Sequence, residues 1–279
     1  MPVMAMEIPM QLSIGNPELG EERIHNVIFR FQSANIEKSS MFYTGIRMAA
    51  TQNFIGNNIF IAGADTIINT IELAKGSQLI QLENMSGYLN GSVFMTYGIP
   101  VSLIKSNFNT NIAVGLSKNP GIFNGEEGYS IDRNINLGLS LNSNISQFLD
   151  FSLSTNSYFN DPVSSLASEL ESNYFYQKSR AKLKWVLPSS WFMEFNLDHS
   201  VYKGLSDGYN ESYILLNTGV GRKLFQNNRG EVKLYIFDIL NQNTSIARNI
   251  TESYIEDVNN NVLQRYFMLS FKYDLRRMR

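Results

Sequence analysis

The sequence has no cysteine, only two histidines (His25 and His199), and charged side chains at 17% of positions with a formal net charge of −2. The missing cysteine excludes disulfide frameworks, thiolate zinc sites and cysteine nucleophiles together. The near-neutral charge lacks the basic stripe that a nucleic-acid partner favours. No run approaches the roughly 18 consecutive apolar residues of a transmembrane helix, which is therefore excluded. The N-terminal MPVMAMEIPM has neither the basic start nor the apolar run of a secretory signal. If the protein is exported, this chain is expected to have lost its beginning. Helical periodicity is scarce as well.

Two-residue alternation, by contrast, is everywhere. In YSIDRNINLGLSLNS, Ile131, Ile135, Leu137, Leu139 and Leu141 share one face, and Asp132, Asn134, Asn136, Gly138, Ser140 and Asn142 share the other. NFNTNIAVGLSKN sets Phe108, Ile112, Val114 and Leu116 against Asn107, Asn109, Asn111 and Ser117. WFMEFNLDHSV sets Trp191, Met193, Phe195 and Leu197 against Glu194, Asn196, Asp198 and Ser200. The closing QRYFMLSFKYDLRRMR alternates in the same way, with Phe267, Leu269, Phe271, Tyr273 and Leu275 on its dry side. A period of two means a β-strand with one wet and one dry face.

Eleven such strands are predicted, at 24–34, 39–53, 84–98, 103–118, 129–142, 148–159, 171–187, 190–202, 209–225, 231–241 and 261–276. Ordinary strands run about five or six residues, whereas a membrane-crossing strand needs about 9–11 in the hydrocarbon. Connections alternate in length along the chain. Short ones fall at Asn35–Lys38, Ile99–Ser102, Ser143–Gln147, Pro188–Ser189 and Gln226–Gly230, and long ones at 54–83, 119–128, 160–170, 203–208 and 242–260. Antiparallel neighbours put alternate connections at opposite ends, so the long ones gather at one end, as in outer-membrane barrels. The class expected is all-β: a transmembrane antiparallel β-barrel, partial, of about eleven long meander strands. Eleven is odd, and such barrels have an even count. The wall is therefore expected to be open, or closed by poor pairing between 24–34 and 261–276.

Charges fit a lipid-facing dry side. Arg133 lies at the loop end of its strand and Arg222 beside a short turn. An Arg on the lipid face costs about 2–4 kcal/mol at mid-membrane and about 0–1 near an interface. Trp185, Trp191, Tyr266 and Tyr273 lie near strand ends, where an aromatic girdle would sit. Ile135, Leu137, Leu139, Phe195, Leu197, Phe267, Leu269 and Phe271 are expected to point outward. Asn134, Asn136, Ser140, Asn196, Ser270 and Lys272 are expected to face the lumen. Backbone groups in lipid must pair, which restricts strands to barrels.

Ile14-Gly15-Asn16-Pro17-Glu18-Leu19 resembles the GNPxLxPE segment of TonB-dependent outer-membrane receptors, with Gly20 in place of the usual basic residue and Glu21 in place of the proline. The block 204–276 is similar throughout to the last part of one branch, which carries an outer-membrane protein β-barrel domain, often behind a carboxypeptidase-regulatory-like module and a plug. The similarity runs from about Gln11 to Arg276. It implies an outer-membrane location, a complete barrel of about 22 strands, and nutrient uptake energised by a TonB-type inner-membrane partner, with a surface lipoprotein as a further partner. On this basis residues 1–23 are a remnant of a preceding strand or external loop, and residues 24–279 are the C-terminal half of the barrel. The plug and the N-terminal barrel half are expected to lie outside this chain. The chain ends in Arg276-Arg277-Met278-Arg279, where such barrels usually finish on an aromatic residue.

Candidate chemistry is sparse. His199 adjoins Asp198 and Ser200, but strand neighbours point to opposite faces, so these three do not make a hydrolase. Glu126-Glu127 and Glu256-Asp257 fall in predicted external loops, where oxygen ligands could take a divalent cation, although solvated acids are the commoner outcome. Gly219-Val220-Gly221 has no following helix and is not a phosphate loop; small residues there relieve crowding in a curved wall. Asn249-Ile250-Thr251 fits a glycosylation sequon that the inferred bacterial setting makes irrelevant. No catalytic, cofactor or metal residue is assigned. Two functions remain in view: a receptor-like barrel whose external loops 54–83 and 242–260 bind a nutrient, and a soluble or surface β-protein that binds carbohydrate. The third, an outer-membrane enzyme, lacks an acid/base constellation.

Overall fold

The structure is a computed structural model that describes residues 5–8, 11–68, 70–143, 145–146, 148–165, 173–205, 210–250 and 255–275. Two short strands, β1 (Ala5–Ile8) and β2 (Gln11–Ile14), come first. Then come β3 (Arg23–Asn35), β4 (Ser40–Gln52), β5 (Phe54–Ile61), β6 (Thr66–Ile68), β7 (Ile71–Leu73), β8 (Gln78–Met85) and β9 (Tyr88–Val101). The remainder are β10 (Ser106–Phe123), β11 (Glu126–Ser143), β12 (Leu149–Ser164), β13 (Tyr174–Val186), β14 (Trp191–Lys203), β15 (Ser212–Leu224), β16 (Gly230–Phe237), β17 (Ser245–Ile250), β18 (Ile255–Asn260) and β19 (Tyr266–Tyr273).

Eleven of these, β3, β4, β9 to β16 and β19, form an antiparallel meander in which each strand pairs with the next wall strand in sequence. They coincide with the eleven predicted segments. No Greek-key crossover interrupts the described wall. β10 and β11 reach 18 residues each, far beyond an ordinary strand. Of the two alternatives for the ends, the wall is open. Among the described residues β3 pairs only with β4 and β19 only with β16, and every residue of β3 is exposed.

Three connections differ from the sequence expectation. The predicted loop at 119–128 is strand almost throughout, because β10 and β11 continue to a two-residue turn at Asn124 and Gly125. Both residues take positive φ, 51° and 85°, the conformation of the hairpin turn that matches strand twist. Glu126 and Glu127 thus belong to β11, opposite Phe123 and Ile122, rather than to a loop. The predicted loop at 54–83 is a folded unit. β5 and β8 pair antiparallel, β2 adds to β8 and β10 to β5 in parallel, and β6 and β7 form a separate hairpin. Ala62, Leu73 and Leu79 form its buried core, with Leu12, Ile14, Phe60, Ile68 and Ile71 packed around them. The third long connection, 242–260, contains the β17–β18 hairpin.

Short segments hide this unit from a periodicity reading. A three-residue strand carries too few alternations to register. The strand predicted at 84–98 begins at Tyr88 because Gly87, at φ 96°, ends β8 and turns the chain. β16 stops at Phe237 because Asp238, fully buried and at φ 51°, starts the long connection. The Asn16 side chain donates to the Leu82 carbonyl at 2.9 Å, and Asn84 receives the Gly20 N–H at 2.6 Å. The Gly15-Asn16-Pro17 segment is thereby hooked onto the same unit.

The register sorts the wall into two faces. Phe151, Leu183, Phe195, Thr218, Ile236 and Phe267 form one cross-strand row. Leu141, Leu153, Ala181, Leu197 and Leu216 form another on the same face. The face they share is open: on it Ile135 is 49% exposed, Leu269 74% and Phe267 68%. No second sheet covers them in the described residues, so the structure is not a sandwich. The opposite face carries the expected Asn134, Asn136, Ser140, Asn196, Ser270 and Lys272, opposite Asn160, Tyr158, Ser154, Lys182, Lys233 and Glu231 respectively. Tyr266 pairs with Phe237 and lies on this polar face, unlike the other proposed girdle residues. Strand alternation places Tyr273 with the apolar set, and Trp185 and Trp191 join it by the same count.

Candidate functional site

The polar face is organised in rows that change character from one end to the other. Nearest the long connections, Asn136, Tyr158, Tyr176 and Tyr202 stand side by side on β11 to β14, with Asn134, Asn160 and Tyr174 one row beyond. The rings of Tyr176 and Tyr202 stack at 4.5 Å between centroids, and those of Tyr158 and Tyr174 tilt at 5.8 Å. The next row inward is Gly138, Asn156, Lys178, Ser200 and Tyr213. Tyrosine suits such a position because its ring supplies contact area and its hydroxyl a polar handle.

Below the tyrosines runs a column of cations. β13 alternates so that Tyr174, Tyr176, Lys178, Arg180, Lys182 and Lys184 all project from the polar face. Arg180 Nε donates to Asp198 Oδ1 at 2.5 Å. The Glu194 carboxylate is shared, one oxygen 3.3 Å from Lys184 Nζ and the other 3.2 Å from Lys233 Nζ. Lys178 and Lys182 enter no ion pair among the described residues. The column therefore carries positive charge beyond what its carboxylates neutralise. A low-dielectric wall with one sign of charge concentrates ligands of the other sign.

The glycines are explained by this face. A Cβ on Gly221 would run into the ring of Phe192, which is 1% exposed, and one on Gly219 would stand 3.0 Å from Tyr235. Crowding relief, as expected, is their role. His199 points to the apolar face instead, where its Nε2 lies 2.9 Å from Ser212 Oγ, away from Asp198 and Ser200. Beside it Thr155, Gln177 and Ser179 bond one another at 3.0 to 3.2 Å. The described residues contain no group of metal-ligating side chains. Asn249 and Ile250 lie in β17, opposite Glu256 and Ile255 of β18, while Thr251 and the side chains of these four and of Asp257 lie outside the described residues.

Sequence reasoning assigned no site residue and missed the tyrosine rows and the cation column. The signal was present in the alternation of YFYQKSRAKLK, which puts every cation of β13 on one side.

A wall of long antiparallel strands, apolar and open on one face, polar and charged on the other, with its long connections gathered at one end, defines a membrane-spanning β-structure. The chain belongs to the outer membrane protein beta-barrel family, whose model matches residues 1–273. It is a protein of the outer membrane, with its apolar face against lipid and its polar face toward the lumen. No curated protein and no solved structure matches it.

Proposed function

We propose that this chain forms wall, outer mouth and external connections of a TonB-dependent, receptor-like transporter, and that it performs no chemistry of its own. The similarity of Gly15-Asn16-Pro17-Glu18-Leu19 and of 204–276 to that type supports the reading. The observation that carries it is the gradient on the lumenal face, from stacked tyrosines at the mouth to unneutralised cations deeper in. Such a face suits a polar solute that bears anionic groups: rings and amides engage it first, and Lys178 and Lys182 hold its charge. A plug, an energising inner-membrane partner and a surface lipoprotein belong to this proposal. The two carboxylates Glu194 and Asp198 are held in ion pairs, which suits a wall better than proton transfer.

The experiment is uptake of labelled anionic oligosaccharides and peptides by cells that carry the intact protein, with and without a protonophore. Energised uptake should collapse with the protonophore and fall strongly in Tyr176→Ala/Tyr202→Ala. Uptake that persists without a proton gradient assigns a passive pore. Uptake unchanged by removal of 54–83 or 242–260 counts against ligand capture by those connections, and substrate turnover by the purified protein overturns the non-enzymic reading.

A further inference from the structure

One cleft lies on the opposite side of the wall, facing lipid. It has a volume of about 650 Å3 and sits at the long-connection end of β10 to β14. Its floor is the cross-strand row Val114, Ile135, Phe159 and Phe175, and the Phe159 and Phe175 rings meet at 4.7 Å between centroids. Val114, Ile135 and Phe159 are each nearly half exposed, so the floor is open to an occupant.

Its polar margin is not symmetric in charge. Arg133 Nη1 pairs with Asp161 Oδ2 at 3.3 Å, yet both side chains stay about half exposed, 53% and 47%. One bond of this kind leaves most of the five guanidinium N–H donors unused. Lys203, directly opposite Phe175 on β14, also lines the cleft and enters no ion pair among the described residues. Two cations and one carboxylate thus border an apolar trough on a surface where isolated charge is costly. At the short-turn end the lipid-facing Arg222 differs, because it covers the Trp191 ring at 5.6 Å.

The geometry points to a binding site for a membrane lipid with a phosphate-bearing headgroup. The acyl chain lies along Ile135, Phe159 and Phe175, and the phosphate sits between Arg133 and Lys203. Guanidinium matches phosphate through paired N–H bonds, and the ammonium supplies a point charge from the other side. The phosphate neutralises the excess cation that the protein leaves unpaired, and the trough covers chain that a flat wall would not hold. The occupant belongs to the external leaflet, because the long connections mark that side. This site is independent of what crosses the lumen.

The test uses the full-length protein in a neutral detergent, incubated with phosphatidylglycerol or with digalactosyldiacylglycerol of the same acyl chains, and read by native mass spectrometry after delipidation. Wild type should retain phosphatidylglycerol and release the phosphate-free lipid. Arg133→Gln/Lys203→Gln should weaken phosphatidylglycerol retention about tenfold or more, while the lumenal Lys182→Gln leaves it unchanged. Lys203→Gln alone removes no ion pair, so it serves if the double variant fails to fold, and it should lose most of the preference. Equal retention of both lipids, or retention undiminished in Lys203→Gln, overturns the proposal.

Discussion

Arg180 on β13 and Asp198 on β14 face each other directly across the lumenal side, Nε to Oδ1 at 2.5 Å, in the row that separates the unpaired Lys178 from the unpaired Lys182. The carboxylate is the more sheltered partner, 16% exposed against 40%. Asp198→Ala removes the counter-charge and leaves Lys178, Arg180 and Lys182 as three adjacent cations with no carboxylate partner among the described residues. The expected loss is about 1.5–3 kcal/mol, the range for a hydrogen bond to a charged group. Urea unfolding in detergent measures it. The charge-swapped pair Arg180→Asp/Asp198→Arg should recover at least part of the loss, and failure to recover any would show that the pair is not coupled.

Leu137 and Asn136 are neighbours on β11 with opposite surroundings. Leu137→Arg places a guanidinium against lipid in mid-strand and should cost about 2–4 kcal/mol. Asn136→Arg faces the lumen and should cost far less. The two unfolding midpoints, measured side by side, check the assignment of faces on that strand, since a one-residue slip would reverse their order.

Gly221→Ala should destabilise by about 1–3 kcal/mol through overpacking, because the added methyl collides with the ring of Phe192. Trimming the ring in Phe192→Leu should relieve the ring's share of that cost in the double variant, while the Val232 carbonyl oxygen, 2.8 Å from the added methyl, keeps the rest. A thermal-unfolding series of the four proteins decides it: additive losses would mean that the collision is absorbed elsewhere.

Asp238 anchors the connection that leads to β17. Its carboxylate accepts the N–H groups of Gln242 and Asn243, both at 3.0 Å, and its own N–H donates to Asn217 Oδ1 at 2.8 Å. Asp238→Ala leaves two backbone donors without their partner, at about 1–3 kcal/mol for each that stays buried. Limited proteolysis should then cut within 239–265 faster than in wild type. Asp238→Asn keeps one acceptor oxygen and should fall between the two.

Among the described residues β3 and β19 each have one unpaired edge. Free edges recruit other chains, so this chain in detergent should form higher oligomers, read by light scattering after gel filtration. Ile28→Pro and Leu269→Pro, which block edge donors, should reduce them, and oligomers indifferent to both substitutions would locate the contact elsewhere.

The wall was legible because each of its strands is long enough for alternation to repeat many times. Ile131 to Leu141 alone gives an apolar row that no helix could match, and the predicted β11 lies within the observed one. What escaped was short or depended on contacts. β6 and β7 are three residues each, and their place is set by Leu73 and Ala62, which meet only after the chain folds back. The cleft at Arg133 and Lys203 joins residues far apart in sequence through three intervening strand pairings. The lumenal tyrosines lay in plain alternation, but their stacking came only with the register that sets Tyr176 opposite Tyr202.

β10 pairs along one edge with two strands in turn, and so carries the wall and the folded unit in a single sheet. Over Ser106 to Lys118 it pairs with β9 in the wall, and at Ile122 and Phe123 it pairs with β5 of the folded unit beyond. The unit on Leu73 and Leu79 is thus a stiff extension of one stave rather than a flap on a tether. It has no hinge on this side: to swing away it would first have to shed the bonds to Ile122 and Phe123. A load on its surface therefore has a hydrogen-bonded path into β10 and through it into the membrane wall.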